Sequence, residues 1–188
     1  MTAVFSWNTP LGPATAAARK GAIVGFWFDG QARDRSALQG AADVQMVAAG
    51  DWASAQSAFA AGDWAVLSAL GDWVSAYFAG ENPAIAFALA PEGSAFQREI
   101  WQMLRAIPYG ACTTYGALAH QYARAHGLSA MSAQAVGGAV GRNPISLLIP
   151  CHRVLGANGA LTGYAGGLDK KIALLRLEGA DFRAQAMP

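Results

Sequence analysis

The early part of the chain carries short apolar runs that are bounded by turn residues. Residues 22–28, AIVGFWF, are rich in β-branched and aromatic side chains, and Asp29 and Gly30 follow them directly. This pattern predicts a strand that enters a hairpin at the Asp-Gly pair. Proline and glycine over residues 10–13 punctuate an earlier strand in the same way.

Between Gln45 and Phe78 the apolar spacing becomes helical. Three unevenly spaced Gly-Asp-Trp tripeptides interrupt this segment, and they begin at Gly50, Gly62 and Gly71. A carboxylate at the start of a helix satisfies free backbone amides. We therefore expect each aspartate to cap a helix and each tryptophan to pack inward, and the uneven spacing indicates no internal repeat.

Two helices with clear start signals are predicted after the midpoint of the chain. Ser94 can cap the first of them, and Pro108 stops it. Its apolar face comprises Phe96, Ile100, Trp101 and Leu104. Thr113 or Thr114 caps the second helix, which carries Tyr115 in its first turn and turns Leu118 and Tyr122 inward.

A third helix is predicted over residues 132–140, SAQAVGGAV, after a loop from Ala123 to Met131. Two short helices joined by a turn are typical of a helix-turn-helix. Glycine inside a helix costs about 1 kcal/mol relative to alanine. Either a closely packed helix or a nucleic-acid backbone is expected to compensate for that cost. A last helix runs from about Asp169 to Gly179.

These patterns predict two domains, an α/β domain over residues 1–90 and a mostly α domain over residues 91–188. Residues 82–83 and 91–93 bracket a short strand, and the second of these segments reads as the linker. The composition is 54% hydrophobic and 13% charged, which excludes a disordered chain.

Charge is divided unevenly between the two predicted domains, although the net charge is only +1. The first 90 residues hold four basic and seven acidic residues, a balance of −3, and the remainder holds nine basic and five acidic residues, a balance of +4. An anionic partner would therefore meet the second half, although ordinary scatter of surface charge explains the split equally well.

The chain shows no apolar run of the roughly 18–20 residues that a membrane span needs, and no basic segment typical of a signal peptide. We therefore expect a cytoplasmic protein whose two cysteines, Cys112 and Cys151, are reduced thiols. Two cysteines and three histidines without ligand spacing argue against a zinc site, and we expect no metal or cofactor.

The apolar run ISLLIP, residues 145–150, is typical of a buried strand that Pro150 stops. Cys151, His152 and Arg153 follow this run directly. A thiol with a pKa of about 8.5 needs a base to become a nucleophile. His152 is the nearest candidate, but adjacent side chains do not face each other on a helix or a strand. A bridging water would connect the two, whereas a histidine satisfied at a polar turn is the alternative.

The segment Pro150-Cys-His-Arg-Val154 resembles the active-site region of the O6-alkylguanine-DNA alkyltransferases, also called methylated-DNA–protein-cysteine methyltransferases. Other motifs stand in the order of that family across residues 94–179, namely Asn143-Pro144, Gly163-Tyr-Ala-Gly-Gly167, Tyr115, the Ala-Val-Gly-Gly helix, Lys171 and Glu178. The resemblance implies a ribonuclease-H-like first domain and a winged-helix-like second domain with a helix-turn-helix.

The family resemblance implies a single-turnover DNA repair protein. Cys151 would take the alkyl group from O6-alkylguanine flipped out of DNA, with O4-alkylthymine as an open second substrate, and keep it as a thioether. By analogy, His152 accepts the thiol proton through a water and Glu178 orients His152. The supporting roles fall to Asn143 at the turn, Tyr115 as proton donor to the departing guanine, and Lys171 beside that tyrosine. The base pocket would be lined by Val154, Tyr164, Ala165 and Ser146.

The resemblance also implies that a monomer binds double-stranded DNA through the minor groove, with no membrane contact. The implied DNA-binding residues are Thr114, Tyr115, Ala133, Gln134, Ala135, Gly137, Gly138 and Arg142. Gln134 departs from the family pattern, because an arginine usually stands there and fills the gap that the flipped base leaves. A damage-recognition protein without chemistry and a cysteine hydrolase are the alternatives; retention of Cys151 argues against the first and the adjacent Cys-His pair against the second.

Overall fold

The computed structural model describes residues 1–31, 38, 43–47 and 49–182. The chain divides into two compact units, Met1–Glu92 with Pro144–Leu148, and Gly93–Asn143 with Ile149–Pro188. Four of the charged residues counted above, Arg33, Asp34, Arg35 and Arg183, lie outside the described residues. The boundaries predicted from sequence, at residues 90 and 91, remain a prediction.

The first unit is built on a five-stranded mixed sheet. Three long strands form an antiparallel meander: β1 (Thr2–Thr9), β2 (Gly12–Arg19) and β3 (Ala22–Phe28). Two short strands flank it in parallel, β4 (Val44–Met46) beside β1 and β5 (Ala88–Leu89) beside β3. The predicted strands at residues 22–28 and on both sides of residues 10–13 are therefore confirmed.

The hairpin turn was predicted at Asp29 and Gly30, after β3, and this position is wrong. The tight turn lies before this strand, at Lys20 and Gly21, which both have positive φ (52° and 72°), as a two-residue turn between right-twisted strands requires. Among the described strands, the neighbours of β3 in the sheet are β2 and β5, so β3 forms no hairpin with the described strand that follows it, β4. Asp29 instead accepts a hydrogen bond from the Thr15 hydroxyl at 2.8 Å.

The segment predicted as helical from residue 45 contains one strand and two helices. It begins with β4, and the helices are α1 (Trp52–Ala58) and α2 (Ala61–Phe78). Only Asp51 caps a helix, accepting from the Ser54 amide at 3.0 Å. Asp63 lies in the first turn of α2 and accepts from the Gly21 amide, and Asp72 lies in mid-helix, so the expectation of three caps was wrong for two of them.

Residues 144–148 complete the first unit, which the sequence pattern did not predict. The Phe26 amide donates to the Pro144 carbonyl at 3.0 Å, and the Ser146 amide donates to the Phe26 carbonyl at 2.7 Å. The run before Cys151 is therefore a series of buried turns with one β-bridge at Ile145, not the strand that its composition indicated. Leu147 has a φ of 70°, which no regular strand allows.

The second unit is mostly helical. Its helices are α3 (Ala95–Arg105), α4 (Tyr115–Ala125), α5 (Ala133–Val140) and α6 (Leu168–Leu177). A two-stranded parallel sheet joins β6 (Thr113–Thr114) to β7 (Val154–Leu155), and short 3-10 turns span Cys151–Arg153 and Ala157–Gly159. The described architecture confirms an α/β first part and a mostly α second part.

The helix starts of this unit follow their sequence signals. Ser94 and Gln97 form a capping box on α3, Thr114 caps α4, and Ser132 caps α5. Among the side chains predicted to face inward, Ile100, Trp101, Leu104 and Leu118 are buried, whereas Phe96 and Tyr122 are only half-buried. The loop before α5 begins later than its predicted start at Ala123, because α4 continues to Ala125.

Two features are absent from the described part of the chain. No helix there is long and apolar enough to cross a membrane. Nor do three or more histidine, cysteine, aspartate or glutamate side chains come together there as a metal-binding group.

Candidate active site

Cys151 is held in a 3-10 turn of the second unit and is almost fully buried, with 5% of its surface exposed. Asn143 fixes it, because the side-chain amide donates to the Ile149 carbonyl at 2.8 Å and to the Cys151 sulfur at 3.2 Å. Burial raises the pKa of the Cys151 thiol, although the Asn143 hydrogen bond and the charge of Lys171 oppose that rise. The resting thiol is therefore protonated at neutral pH, and it would need a base to act as a nucleophile.

His152 points its Nε2 atom at the Glu178 carboxylate, 2.9 Å away, and both side chains are fully buried. Burial lowers the pKa of His152, against the opposing effect of Glu178. The ring is therefore neutral at neutral pH. Since an ionised carboxylate only accepts, Nε2 carries the proton. Nδ1 is left as a buried acceptor with no hydrogen-bond partner among the described residues.

Lys171 and Tyr115 meet at the same backbone carbonyl. The Lys171 ammonium donates to the carbonyls of Val154 at 2.6 Å, Thr162 at 2.8 Å and Gly163 at 3.4 Å. Burial lowers the pKa of Lys171 to about 8. The Tyr115 hydroxyl also donates to the Gly163 carbonyl, at 3.4 Å. Burial raises the pKa of Tyr115, and a charge on Cys151 would raise it further, so this phenol keeps its proton at neutral pH.

The predicted pocket residues are distributed over both units. In the second unit, Val154 is fully buried, Ala165 is half-buried, and Tyr164 presents its ring at right angles to His152, with centroids 6.4 Å apart. The Tyr164 hydroxyl is buried without a hydrogen-bond partner in the described structure. Ser146 belongs to the first unit, where the Gln31 side chain donates to its hydroxyl at 3.2 Å.

A groove of about 680 Å³ runs along α5 and the start of α4. Its lining comprises Thr114, Tyr115, Gly116, Ala133, Gln134, Gly137, Gly138 and Ala157. Six of the eight residues predicted to bind DNA are in this lining. Of the other two, Ala135 is exposed on α5, and Arg142 lies beyond its end and donates to the Gly138 carbonyl at 2.9 Å.

The role of Arg153 was missed by sequence reasoning, although it stands within the Cys-His-Arg motif. Its guanidinium donates to both oxygens of Glu178, through Nε and Nη2 at 2.8 Å each. A third nitrogen, Nη1, donates to the Ile107 carbonyl at 2.7 Å. The signal in the sequence was an arginine directly after Cys151 and His152. A buried carboxylate such as that of Glu178 requires a cationic or hydrogen-bonding partner.

Comparison with known sequences places these residues in one family. The family described as 6-O-methylguanine DNA methyltransferase, DNA binding domain, matches residues 95–180. A methylated-DNA–protein-cysteine methyltransferase of Methanosarcina acetivorans is 50% identical over 107 residues, which are 57% of this chain and 65% of that protein. Its Salmonella typhimurium counterpart is 52% identical over 111 residues, 58% of this chain and 62% of that protein. The matched segments thus span just under two thirds of these relatives.

Solved structures extend the similarity along nearly the whole chain. The Mycobacterium tuberculosis O6-methylguanine methyltransferase has a TM-score of 0.72 and 33% identity, covering 98% of this chain and 97% of that one. The same protein in complex with DNA has a TM-score of 0.69 and 32% identity, covering 94% and 92%. On the motifs, the site geometry and these similarities together, the chain belongs to the methylated-DNA–protein-cysteine methyltransferase family.

Proposed function

We propose that this protein repairs O6-alkylguanine in double-stranded DNA by transferring the alkyl group to Cys151. The observation that carries the proposal is the pairing of a buried thiol with a neutral histidine in one turn. Asn143 orients the sulfur at 3.2 Å, and Glu178 holds the neighbouring imidazole at 2.9 Å. The names of the relatives, and the DNA complex of one of them, support the same reaction.

The reaction is a displacement at the alkyl carbon. The Cys151 sulfur attacks that carbon, a carbon–sulfur bond forms, and the bond from the carbon to guanine O6 breaks. The thiol proton passes to Nδ1 of His152, the imidazole nitrogen that has no partner in the described structure, through a bridging water. Tyr115 supplies a proton to the departing guanine. The thioether does not hydrolyse, so each protein molecule reacts once.

The groove along α5 is the proposed binding surface for DNA. An alanine at Gly137 would meet only the Tyr115 ring, at the ordinary contact distance of 3.6 Å, so internal packing does not require a glycine there. A bare helix surface lets a nucleic-acid backbone approach closely, and minor-groove proteins insert side chains to offset the cost of base extrusion. Tyr115 connects the two sites, since it lines the groove and lies near the thiol.

We further propose a fold type for each of the two units. A three-stranded antiparallel meander with a parallel neighbour supports a ribonuclease-H-like first unit. In the second unit, α4 and α5 support a helix-turn-helix of the winged-helix type. The protein is proposed to act as a monomer in the cytoplasm.

The test is intact-mass analysis after incubation with duplex DNA that contains O6-methylguanine. One added methyl group per molecule, located on Cys151 by peptide mapping, is the expected result. Cys151→Ser should remain unmodified, whereas Cys112→Ser, which changes the half-buried second thiol, should react like the original protein.

Two results would contradict the proposal. Repair that continues over many turnovers with unmodified protein would indicate a hydrolase. Binding to damaged DNA without any modification of Cys151 would indicate a recognition protein without chemistry.

A further inference from the structure

The Glu178 carboxylate is the most heavily used polar group of the candidate active site. It lies at the C-terminal end of α6 with its side chain fully buried. Oε1 accepts from His152 Nε2 at 2.9 Å and from Arg153 Nη2 at 2.8 Å. Oε2 accepts from Arg153 Nε at 2.8 Å and from the Gly110 amide at 3.3 Å. A carboxylate with this many donors is held ionised and has little freedom to rotate.

Arg153 connects three separate segments of the second unit. It follows the Cys-His pair in the 3-10 turn, contacts the end of α6 through Glu178, and reaches the Ile107 carbonyl after α3. Its guanidinium carbon also lies 5.8 Å from the centre of the Tyr109 ring. Nε, Nη1 and Nη2 are thus all engaged, and the side chain is only 11% exposed. The planar fork, and not positive charge alone, makes this arrangement possible.

We propose that Arg153 is a positioning residue, which fixes Glu178 so that His152 keeps its proton on Nε2 and offers Nδ1 to the thiol proton. This inference rests on the function proposed above. Without the guanidinium fork, the carboxylate can rotate away from the imidazole, and the orientation of the ring is lost. Without the positive charge, Glu178 would favour a second proton on His152, and a protonated imidazole has no acceptor left.

Several other charged or titratable groups lie near His152 and Glu178. The charge of Lys171 acts on His152, and the charge of Glu178 acts on Tyr164, Tyr109 and Cys112. Among them only Lys171 is cationic, and its three hydrogen bonds go to backbone carbonyls. Arg153, by contrast, contacts both oxygens of the carboxylate directly.

Two substitutions separate orientation from charge. Arg153→Lys keeps a cation but removes the fork, so we expect the single-turnover rate at neutral pH to fall about 10- to 100-fold, a part of what a positioned base contributes. Arg153→Met removes both properties. Because its loss raises the pKa of His152, the acid limb of the pH–rate profile should in addition move to higher pH. Arg176→Met, a change of an exposed arginine in the last turn of α6, is the matched control and should leave rate and profile unchanged.

A readout that needs no reaction accompanies the kinetics. Nitrogen-15 NMR of the His152 ring should show the Nε2–H tautomer in the original protein and a mixture of tautomers in Arg153→Lys and Arg153→Met. Circular dichroism and thermal melting identify a variant that fails to fold, and the lysine variant, which conserves charge, provides the decisive measurement in that event.

The two proposals fail in different ways. If the original protein never acquires a methyl group, the proposed function is wrong, and the NMR measurement still decides the role of Arg153. If the original protein reacts and Arg153→Lys keeps both its rate and its single tautomer, Arg153 is not a positioning residue.

Discussion

Two helices of this protein contain glycine for opposite physical reasons. In α2 of the first unit, an alanine at Gly71 would place its Cβ atom 2.5 Å from the Trp52 ring, closer than atoms can approach. In α5 of the second unit, an alanine at Gly137 would meet the Tyr115 ring at 3.6 Å, an ordinary contact. The first glycine is required by the protein's own core, whereas the second is not required by any described neighbour.

The comparison shows how a surface for a ligand differs from a packed interior. Trp52 cannot move aside easily, because its ring lies against Phe5, Trp7 and Trp64 at centroid distances of 4.4 to 6.0 Å. The glycines of α5 instead line an open groove. Since glycine costs a helix about 1 kcal/mol relative to alanine, retaining it without internal need indicates a partner outside the chain.

Gly71→Ala should give the largest effect of the substitutions that test this comparison. We expect the free energy of unfolding to fall by about 2 kcal/mol, because overpacking a core generally costs about 1 to 3 kcal/mol. Urea denaturation of the original protein and the variant measures this difference in the free energy of unfolding. Gly62→Ala in the same helix is the control, since its Cβ atom would lie 3.6 Å from Gly21, and it should be neutral or slightly stabilising. Equal stability of the two variants would show that Trp52 yields.

Gly137→Ala should give the reverse pattern. We expect stability to rise by up to about 1 kcal/mol through helix propensity. The rate with methylated duplex DNA should nevertheless fall about tenfold, equivalent to about 1.4 kcal/mol, because the added methyl group holds the DNA backbone away. Denaturation and single-turnover kinetics measure the two quantities, and free O6-benzylguanine controls for the chemistry. An unchanged duplex rate would remove the external explanation for this glycine.

Gln134→Arg should give the smallest effect and sharpens the picture of the same groove. Gln134 is exposed on α5 and neutral, and an arginine there would help fill the gap left by a flipped base. We expect repair of duplex DNA to accelerate several-fold, and the slope of log binding constant against log salt to steepen by about 0.9. The reaction with free O6-benzylguanine should hardly change, because a free base does not have to be flipped out of a duplex. A slower duplex reaction would mean that glutamine is adapted to this role.

Local signals in the sequence were sufficient for much of the second unit. Ser94 caps a helix as predicted, and so does Thr114, one of the two threonines proposed for the next helix, because a cap depends on residues three positions apart. The same kind of signal failed at Asp29 and Gly30, where a turn follows β3 but the described strands that pair with β3 are β2 and β5. Which strand lies beside β3 depends on residues distant along the chain, and no local pattern encodes that choice.

The sequence by itself determined the order of the motif residues, their family, the capped helices and the candidate nucleophile Cys151 with its neighbouring histidine. The tertiary structure alone decided how Glu178 is shared, since its partners include Gly110 and Arg153, 68 and 25 positions away. It also decided that residues 144–148 complete the first unit. Only the tertiary structure shows that the core requires a glycine at position 71, whereas the described neighbours of Gly137 do not require one. Contacts between distant segments form only when the whole chain folds, so the periodicity of any one segment cannot predict them.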